Sequence, residues 1–592
     1  MDQRIRGRFP ERLRYFPMTI IARDPLVLDP VSKNRRRKIL RAVVPVPASR
    51  LEPGPRGPRF HVVSFDASRR KLHRPARLAP MRGQRAGWDY RDRFAGADDA
   101  TLLNDPAFHA QNVYAIAART LSFFEAALGR PVPWAFGSSQ LYLVPTAFTD
   151  ANAYYSDDDR ALLFGYFESK YSGRVLTCLA HDIVAHETTH AILDGLRRRF
   201  DTPGLPDQAG FHEGFSDLVA LLSLLSTRES IASVLGDPGK PRVRASLLTF
   251  EGLRESVLFT IGRQFGNALH LNRGEGLRRS IEQDPTTAWK NLRDPDWAEP
   301  HRRGEILVAA VMRTYLHMWT NRLIPIVGSG TIDRRRVAEE GSTAAKHLLN
   351  MVIRAIDYCP PLEFELADFL TAIVASERDV NPDDDYGYVA ALIDGFKSFG
   401  IEVQAGDDWS APPSGSPSYR DFSYSSLRSD PDETFRFIWD HARFLGINPA
   451  YYLHVENVRP AVRTGPRGFV TAETVVDYVQ ELVLTRAELE KLAQANKPKG
   501  PAFALPSTDV LPSATKLKLW GGGTIIFDEF GAVKYQRFKR LDDWSRQQRR
   551  LDYLIERGLW DTKGRLGFTL GVPLGQRFAE IHRAAPNLRE EW

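Results

Sequence analysis

The segment His186-Glu187-Thr188-Thr189-His190 constrains this 592-residue chain more than any other. It is an H-E-x-x-H pattern inside a proline-free run with helical periodicity, and its spacing carries chemistry. On a helix, residues four apart share a face with Cβ atoms about 6 Å apart, near enough for two imidazoles to hold one divalent ion. Glu187 lies about 100° around the helix from His186, so it flanks such an ion instead of ligating it. From there its carboxylate can take a proton from a water molecule. A fold that uses the pattern must bring a third ligand to this helix from elsewhere in the chain.

The type of third ligand sorts the possibilities. No histidine follows His190 in an H-x-x-G-x-x-H arrangement, so a three-histidine site is unsupported. Glu213 lies 23 residues past His190, in Phe211-His212-Glu213-Gly214-Phe215-Ser216-Asp217, at the start of an expected next helix. Glu213 and Asp217 are four apart and share a face. A carboxylate on zinc, with Asp217 holding a ligand histidine by its other ring nitrogen, fits that spacing. The metal set is then His186, His190 and Glu213, with Glu187 as base. His212 and His181 are expected in supporting or neutral roles, and Cys178 as a small buried apolar residue. The chain has only Cys178 and Cys359, which excludes a disulfide framework and a cysteine zinc site.

With these residues the chain resembles the thermolysin-like zinc metallopeptidases, the group with two histidine ligands and a glutamate. Asp182 four residues before His186, and Asp194 four after His190, agree with that family. Asn152-Ala153-Tyr154-Tyr155 is similar to its Asn-Ala-aromatic edge-strand element, which implies that Asn152 and Ala153 bind an extended peptide. Leu277-Arg278-Arg279-Ser280 resembles the segment whose arginine contacts the substrate carbonyl, and Arg279 aligns best. Asp296 and His301 resemble the Asp–His pair that stabilises the tetrahedral oxyanion. The resemblance covers about 105–400 in the family's order. It implies an α+β fold: a thermolysin-like core with an N-terminal β-rich lobe, a central H-E-x-x-H helix and a C-terminal helical lobe, plus an additional C-terminal domain. Two departures stand out. Arg198–Gln208 lacks the tyrosine that assists the oxyanion histidine, and Leu218–Arg228 lacks the acidic calcium loops of secreted members.

Charge is unevenly placed. Residues 1–93 carry 24 Lys/Arg against 8 Asp/Glu, and the remainder 56 against 65, so a basic leader precedes an acidic body. Residues 1–105 are a Pro- and Arg-rich N-terminal region with strand-like runs at Ile39–Val46 and Arg59–Phe65. The metallopeptidase domain is expected over 106–404. It comprises a helix over Ala107–Leu128, strands at Gln140–Val144 and Ala161–Phe167, and a helix over Val175–Leu196. Further helices start near Phe211 and Ile306, and helices in 341–400 are broken at Pro360-Pro361 and Pro382–Asp385. A Ser/Pro/Gly-rich linker occupies 405–418. A C-terminal accessory α/β region of unassigned role fills 419–592, with several helices, a Pro-rich stretch near 497–513, a tight turn at Gly521–Gly523 and a basic helix near Leu541–Arg557. The glycine triplet has no following Gly-Lys-Ser/Thr, so it is not a phosphate loop.

The expectation is a zinc endopeptidase in which Glu187 serves as general base and then acid, helped by His301 and Arg279, with Zn2+ as cofactor. Its partner is a peptide or protein substrate. The competing expectations are a catalytically inactive metallopeptidase-fold scaffold or binding module, and hydrolysis of a non-peptide amide. The basic N-terminal region suits docking on its own acidic body or an acidic partner. No base-reading motif points to nucleic acid. No apolar run reaches the roughly 18 residues of a membrane span, and no signal peptide is evident, so a cytoplasmic location is expected, with export by another route left open.

Overall fold

The computed structural model describes residues 15–23, 25, 39–47, 51–77, 92–169, 173–235, 239–255, 294–328, 330–403, 423–465, 468, 470–495 and 504–582. The architecture is mixed α+β. Strands β1 (Tyr15–Ile21) and β2 (Arg41–Pro47) pair as an antiparallel ribbon. Their alternating burial turns one face onto helix α1 (Pro106–Leu128), and Ile21 N donates to Asn112 Oδ1 at 3.0 Å. The most basic stretch of the leader, Arg35-Arg36-Arg37-Lys38, lies outside the described residues. Helix α1 starts where the Asp105 carboxylate caps Ala107 N and Pro106 takes the first turn. It stops at Gly129, whose φ of 67° suits glycine and whose missing side chain makes room for the Val462 carbonyl.

Strands β3 (Phe60–Val62), β4 (Leu141–Phe148), β5 (Ala153–Ser156), β6 (Ala161–Ser169) and β7 (Gly173–Leu176) build one sheet. Its order is β3-β4-β6-β5, with β7 against the far end of β6. β5 pairs only through β6 and leaves its other edge to neighbouring structure. The long helix expected from Val175 therefore begins later. Gly173–Leu176 is claimed by pairing with β6, a 3-10 turn covers Thr177–Leu179, and α2 runs His181–Leu196.

Helix α3 (Pro206–Leu225) begins five residues before the expected Phe211, with proline at its first turn. Glu213 thus sits in mid-helix and not at a helix start. Helix α4 (Pro300–Leu323) begins six residues before the expected Ile306, because the Glu299 side chain caps His301 N and Arg302 N. The α3–α4 crossing is set by glycine: a Cβ on Gly214 would lie 2.7 Å from Gly304 Cα. Helices α5 (Arg334–Ala355), α6 (Leu366–Val380) and α7 (Tyr388–Lys397) complete the body, with breaks at the expected prolines and acidic turn. The core continues through these helices, and α2 and α3 contribute almost wholly buried faces to it.

The expected linker 405–418 lies outside the described residues. Beyond it, helices at Tyr424–Leu427, Pro431–Asp440 and Arg486–Ala495 answer to the several expected among the described residues, but two long strands that were not expected, β8 (Tyr452–Thr464) and β9 (Val470–Thr485), lie between the second and the third. With β10 (Lys516–Phe527) and β11 (Val533–Lys539) they form an antiparallel sheet in sequence order. The valine-rich segment around Val475-Val476 and Val479 lies within β9, where β-branched side chains suit a packed pleated surface. The glycine triplet is likewise not a turn: Gly521–Gly523 lie inside β10, where side chains would strike Leu541, Tyr478 and the Arg537 carbonyl. Helices α8 (Trp544–Glu556) and α9 (Leu574–Ile581) follow.

This sheet has small clusters of its own, yet Val475, Ile526 and Phe578 join the main core. Buried ion pairs also cross the seam. Arg130 and Arg463 flank Asp357, Arg197 and Arg459 flank Asp477, and Arg546 and Arg550 meet Glu363. Burial opposes ionisation of Asp357, but the Arg130 and Arg463 guanidinium groups hold its carboxyl well below the usual range. Losing one partner of such a pair would strand a buried charge, so the seam is costly to separate.

Candidate metal centre

The centre is built on α2 and α3. Threonines at 188 and 189 suit the buried helix because their hydroxyls bond back to the Val184 and Ala185 carbonyls. The i, i+4 spacing sets His186 edge-to-face with His190, ring centroids 4.5 Å apart. Across from them, Glu213 Oε2 lies 3.5 Å from His186 Nε2, and Oε1 lies 3.6 Å from His190 Nε2.

Each histidine is anchored by its Nδ1. His186 Nδ1 donates to Asp217 Oδ1 at 2.7 Å. His190 Nδ1 faces His212 Nδ1 at 2.8 Å and Ser216 Oγ at 3.2 Å. Ser216 spends its own hydroxyl proton on the His212 carbonyl, so its oxygen is free to accept from His190. With Nδ1 committed, each ring turns its Nε2 toward the carboxylate, the arrangement outer partners give to metal-ligating histidines.

A fourth side chain completes the cluster, and it comes from α9. His582 Nε2 lies 3.4 Å from Glu213 Oε2, and its Nδ1 donates to the Ala153 carbonyl at 3.1 Å. His186, His190, Glu213 and His582 are all buried, and their nearest ligand atoms lie within 4.8 Å of one another. They could hold a metal ion. Two observations fit a cation. First, both Glu213 oxygens and His190 Nε2 are buried without a hydrogen-bond partner, a costly arrangement for a carboxylate. Second, ligands about 2.0–2.1 Å from a tetrahedral ion stand about 3.4 Å apart, close to the 3.4–3.6 Å between Glu213 and the three histidines. Protonation agrees. Burial pushes His190 well below the ordinary histidine value and His212 down to about 4. Burial opposes ionisation of Glu213, but His190 and His582 beside it hold its carboxyl well below the usual range. Neutral imidazole and ionised carboxylate are the forms that bind a cation.

The other expected site residues fall as follows. Glu187 is wholly buried beside the cluster, with Oε1 3.4 Å from His582 Nδ1. His301, in the first turn of α4, brings Nε2 to 3.6 Å from Glu213 Oε2. Its Nδ1 rests on Glu299 Oε1 at 3.1 Å. Glu299 is thus a carboxylate on this ring, and the side chain of Asp296, the residue expected there, lies outside what is described. Burial opposes ionisation of Glu299, yet hydrogen bonds from His301 and Arg302 hold it at about 2. Arg279 lies outside the described residues.

Ala153 opens β5 and Asn152 directly precedes it, and both face α9. Asn152 Nδ2 donates to the Ala579 carbonyl at 3.0 Å. Phe578 stacks on His190 with centroids 4.2 Å apart. His181 is elsewhere, bonded to Ser223, and the buried Cys178 thiol is pushed up to about 12. Sequence reasoning missed His582, Glu299 and Phe578. Glu299 carried a visible signal, a capping carboxylate before Pro300. His582 carried none, because nothing local distinguishes it from the other histidines. No family model matches the chain, and no curated protein matches it.

Proposed function

We propose that this protein is a zinc-dependent metallopeptidase with a thermolysin-like core, hydrolysing peptide bonds. The observation that carries the reading is the convergence of His186 and His190 Nε2 on the buried, hydrogen-bond-free carboxylate of Glu213, with Glu187 beside them. Two histidines and a glutamate are a donor set suited to zinc, with His186, His190 and Glu213 holding it. Zinc when bound supplies Lewis acidity toward a scissile carbonyl and eases deprotonation of water. Glu187 takes the proton of the attacking water and returns it to the leaving nitrogen. His301, 32% exposed and oriented by Glu299, donates toward the developing oxyanion, a contact type that contributes about 3 kcal/mol. Arg279 is assigned to the substrate carbonyl by resemblance alone, and Asp296 to support of His301 in the same way. An extended substrate would add to the edge of β5 at Asn152 and Ala153.

No helix among the described residues is long and apolar enough to cross a membrane. A cytoplasmic placement is part of the proposal, supported by two free, buried cysteines. Docking of the basic N-terminal region on an acidic surface also remains a proposal. The scaffold alternative is favoured by one observation: His582 makes four protein ligands, as in closed structural sites. Glu187 weighs against it, since a structural site needs no base. Metal analysis with a chelator-reversible cleavage assay tests the reading. Glu187→Gln should retain stoichiometric zinc and lose at least about 100-fold in turnover. Unchanged turnover in that variant, or no cleavage of any library peptide by any zinc-loaded form, would overturn it.

A further inference from the structure

The C-terminal helix α9 occupies the place in which a substrate would have to lie. Its first turn presses on β5: a Cβ on Gly575 would come within 2.8 Å of Ser156 Cβ and 2.9 Å of Ser156 Cα. Gly575 N donates to Asp157 Oδ1 at 3.4 Å. One turn on, Phe578 covers His190, and the Ala579 carbonyl takes the Asn152 amide. At the helix end, His582 takes the Ala153 carbonyl with Nδ1 and presents Nε2 to the cluster. The Asn152 amide and the Ala153 carbonyl, which would hold a peptide, are thus satisfied from within the same chain.

Only one ring nitrogen of His582 is spent on the strand. Donation from Nδ1 to a carbonyl orients the ring and turns Nε2 to the cluster, the same device that orients His186 through Asp217. The His582 ring is 5.5 Å from both His186 and His190, centroid to centroid, so it closes the open side of the ligand set.

We infer that α9 is an intramolecular plug, and that His582 is a fourth metal ligand which fills the coordination position needed by water until the helix lifts away. The inference rests on the metal site of the reading above and adds its regulation. The plug is separable by construction. An eight-residue helix has no stability of its own and holds only through tertiary contacts. Those contacts are the Arg577–Asp201 ion pair, the bonds to Asn152, Ala153 and Asp157, and Phe578. Glu187, kept within 3.4 Å of His582, is then poised for the open state.

The test uses full-length protein loaded with one Co2+ and titrated with acetohydroxamate, read by the visible d–d absorption. The wild type is compared with His582→Ala, which removes the ligand, and Gly575→Leu, which keeps His582 and wedges α9 off β5. The plug predicts at least about tenfold tighter hydroxamate binding in both variants than in the wild type, since apparent affinity scales with the open fraction. Equal affinity in all three proteins overturns it. If His582→Ala fails to fold, as judged by circular dichroism, Gly575→Leu alone decides. Zinc-loaded samples assayed on a peptide library separate the two readings. A hydroxamate difference without cleavage by any form leaves the plug standing and removes the peptidase. Wild-type cleavage as fast as both variants removes the plug and leaves the peptidase.

Discussion

The floor and the cover of the metal centre are made of equally good ligands but are held in very different ways. The floor is α2 and α3, whose inner faces are wholly within the main core and whose histidines are braced by Asp217, His212 and Ser216. The cover is one short helix, tied down among the described residues by an ion pair, three hydrogen bonds and the Phe578 ring, its one described side chain in the main core. Permanence of a ligand is therefore set by the burial behind it and not by its donor atom. A ligand on a core helix cannot leave without unfolding, whereas a ligand on a weakly packed helix can leave alone.

Substitutions on the two sides should separate these behaviours. The largest effect belongs to the floor. Glu213→Ala should weaken zinc binding by more than about 100-fold, beyond the cost of losing an outer hydrogen-bond partner. Competition with a chromophoric chelator measures it, and wild-type affinity would remove Glu213 from the ligand set.

A second floor residue gives a pH signature. Burial raises Asp194 to about 6, with Tyr155 OH donating to it at 2.8 Å and only partly offsetting the shift. Because the folded value lies above the unfolded one, the contribution of Asp194 is fully present below about 4 and lost as pH rises through about 6. Two pH units correspond to at most about 3 kcal/mol. Asp194→Asn should thus raise the thermal midpoint relative to wild type at pH 8 and leave it nearly unchanged at pH 4. A pH-independent difference would count against this assignment.

The smallest effect belongs to the cover. Arg577→Ala removes the ion pair to Asp201 and should cost about 1 kcal/mol or less of global stability. Hydrogen exchange should nonetheless quicken selectively over 574–582. Uniform quickening across α2 and α3 as well would mean that floor and cover are one unit.

Legibility in the sequence followed locality. Spacing within one helix was enough to pair His186 with His190 and to set Glu187 apart from them, and the same spacing placed Glu213 and Asp217 on one face. Helix boundaries fared less well where pairing or capping decided them: β6 claimed Gly173–Leu176, and Glu299 started α4 ahead of Ile306. The glycine triplet misled because its close-packed role in β10 depends on Leu541 and Tyr478, which no local pattern reveals.

By itself, the sequence determined that His186 and His190 share one side of a helix, since helical periodicity converts a four-residue spacing into a shared face. It also excluded a disulfide framework, by the number of cysteines. Only the tertiary structure decided that Glu213 opposes those histidines, that Glu299 backs His301, and that His582 closes the set. Each of these depends on side chains meeting across elements far apart in the chain, and that meeting is governed by packing at places such as the Gly214–Gly304 crossing and the α9–β5 contact. No spacing rule reaches across such distances.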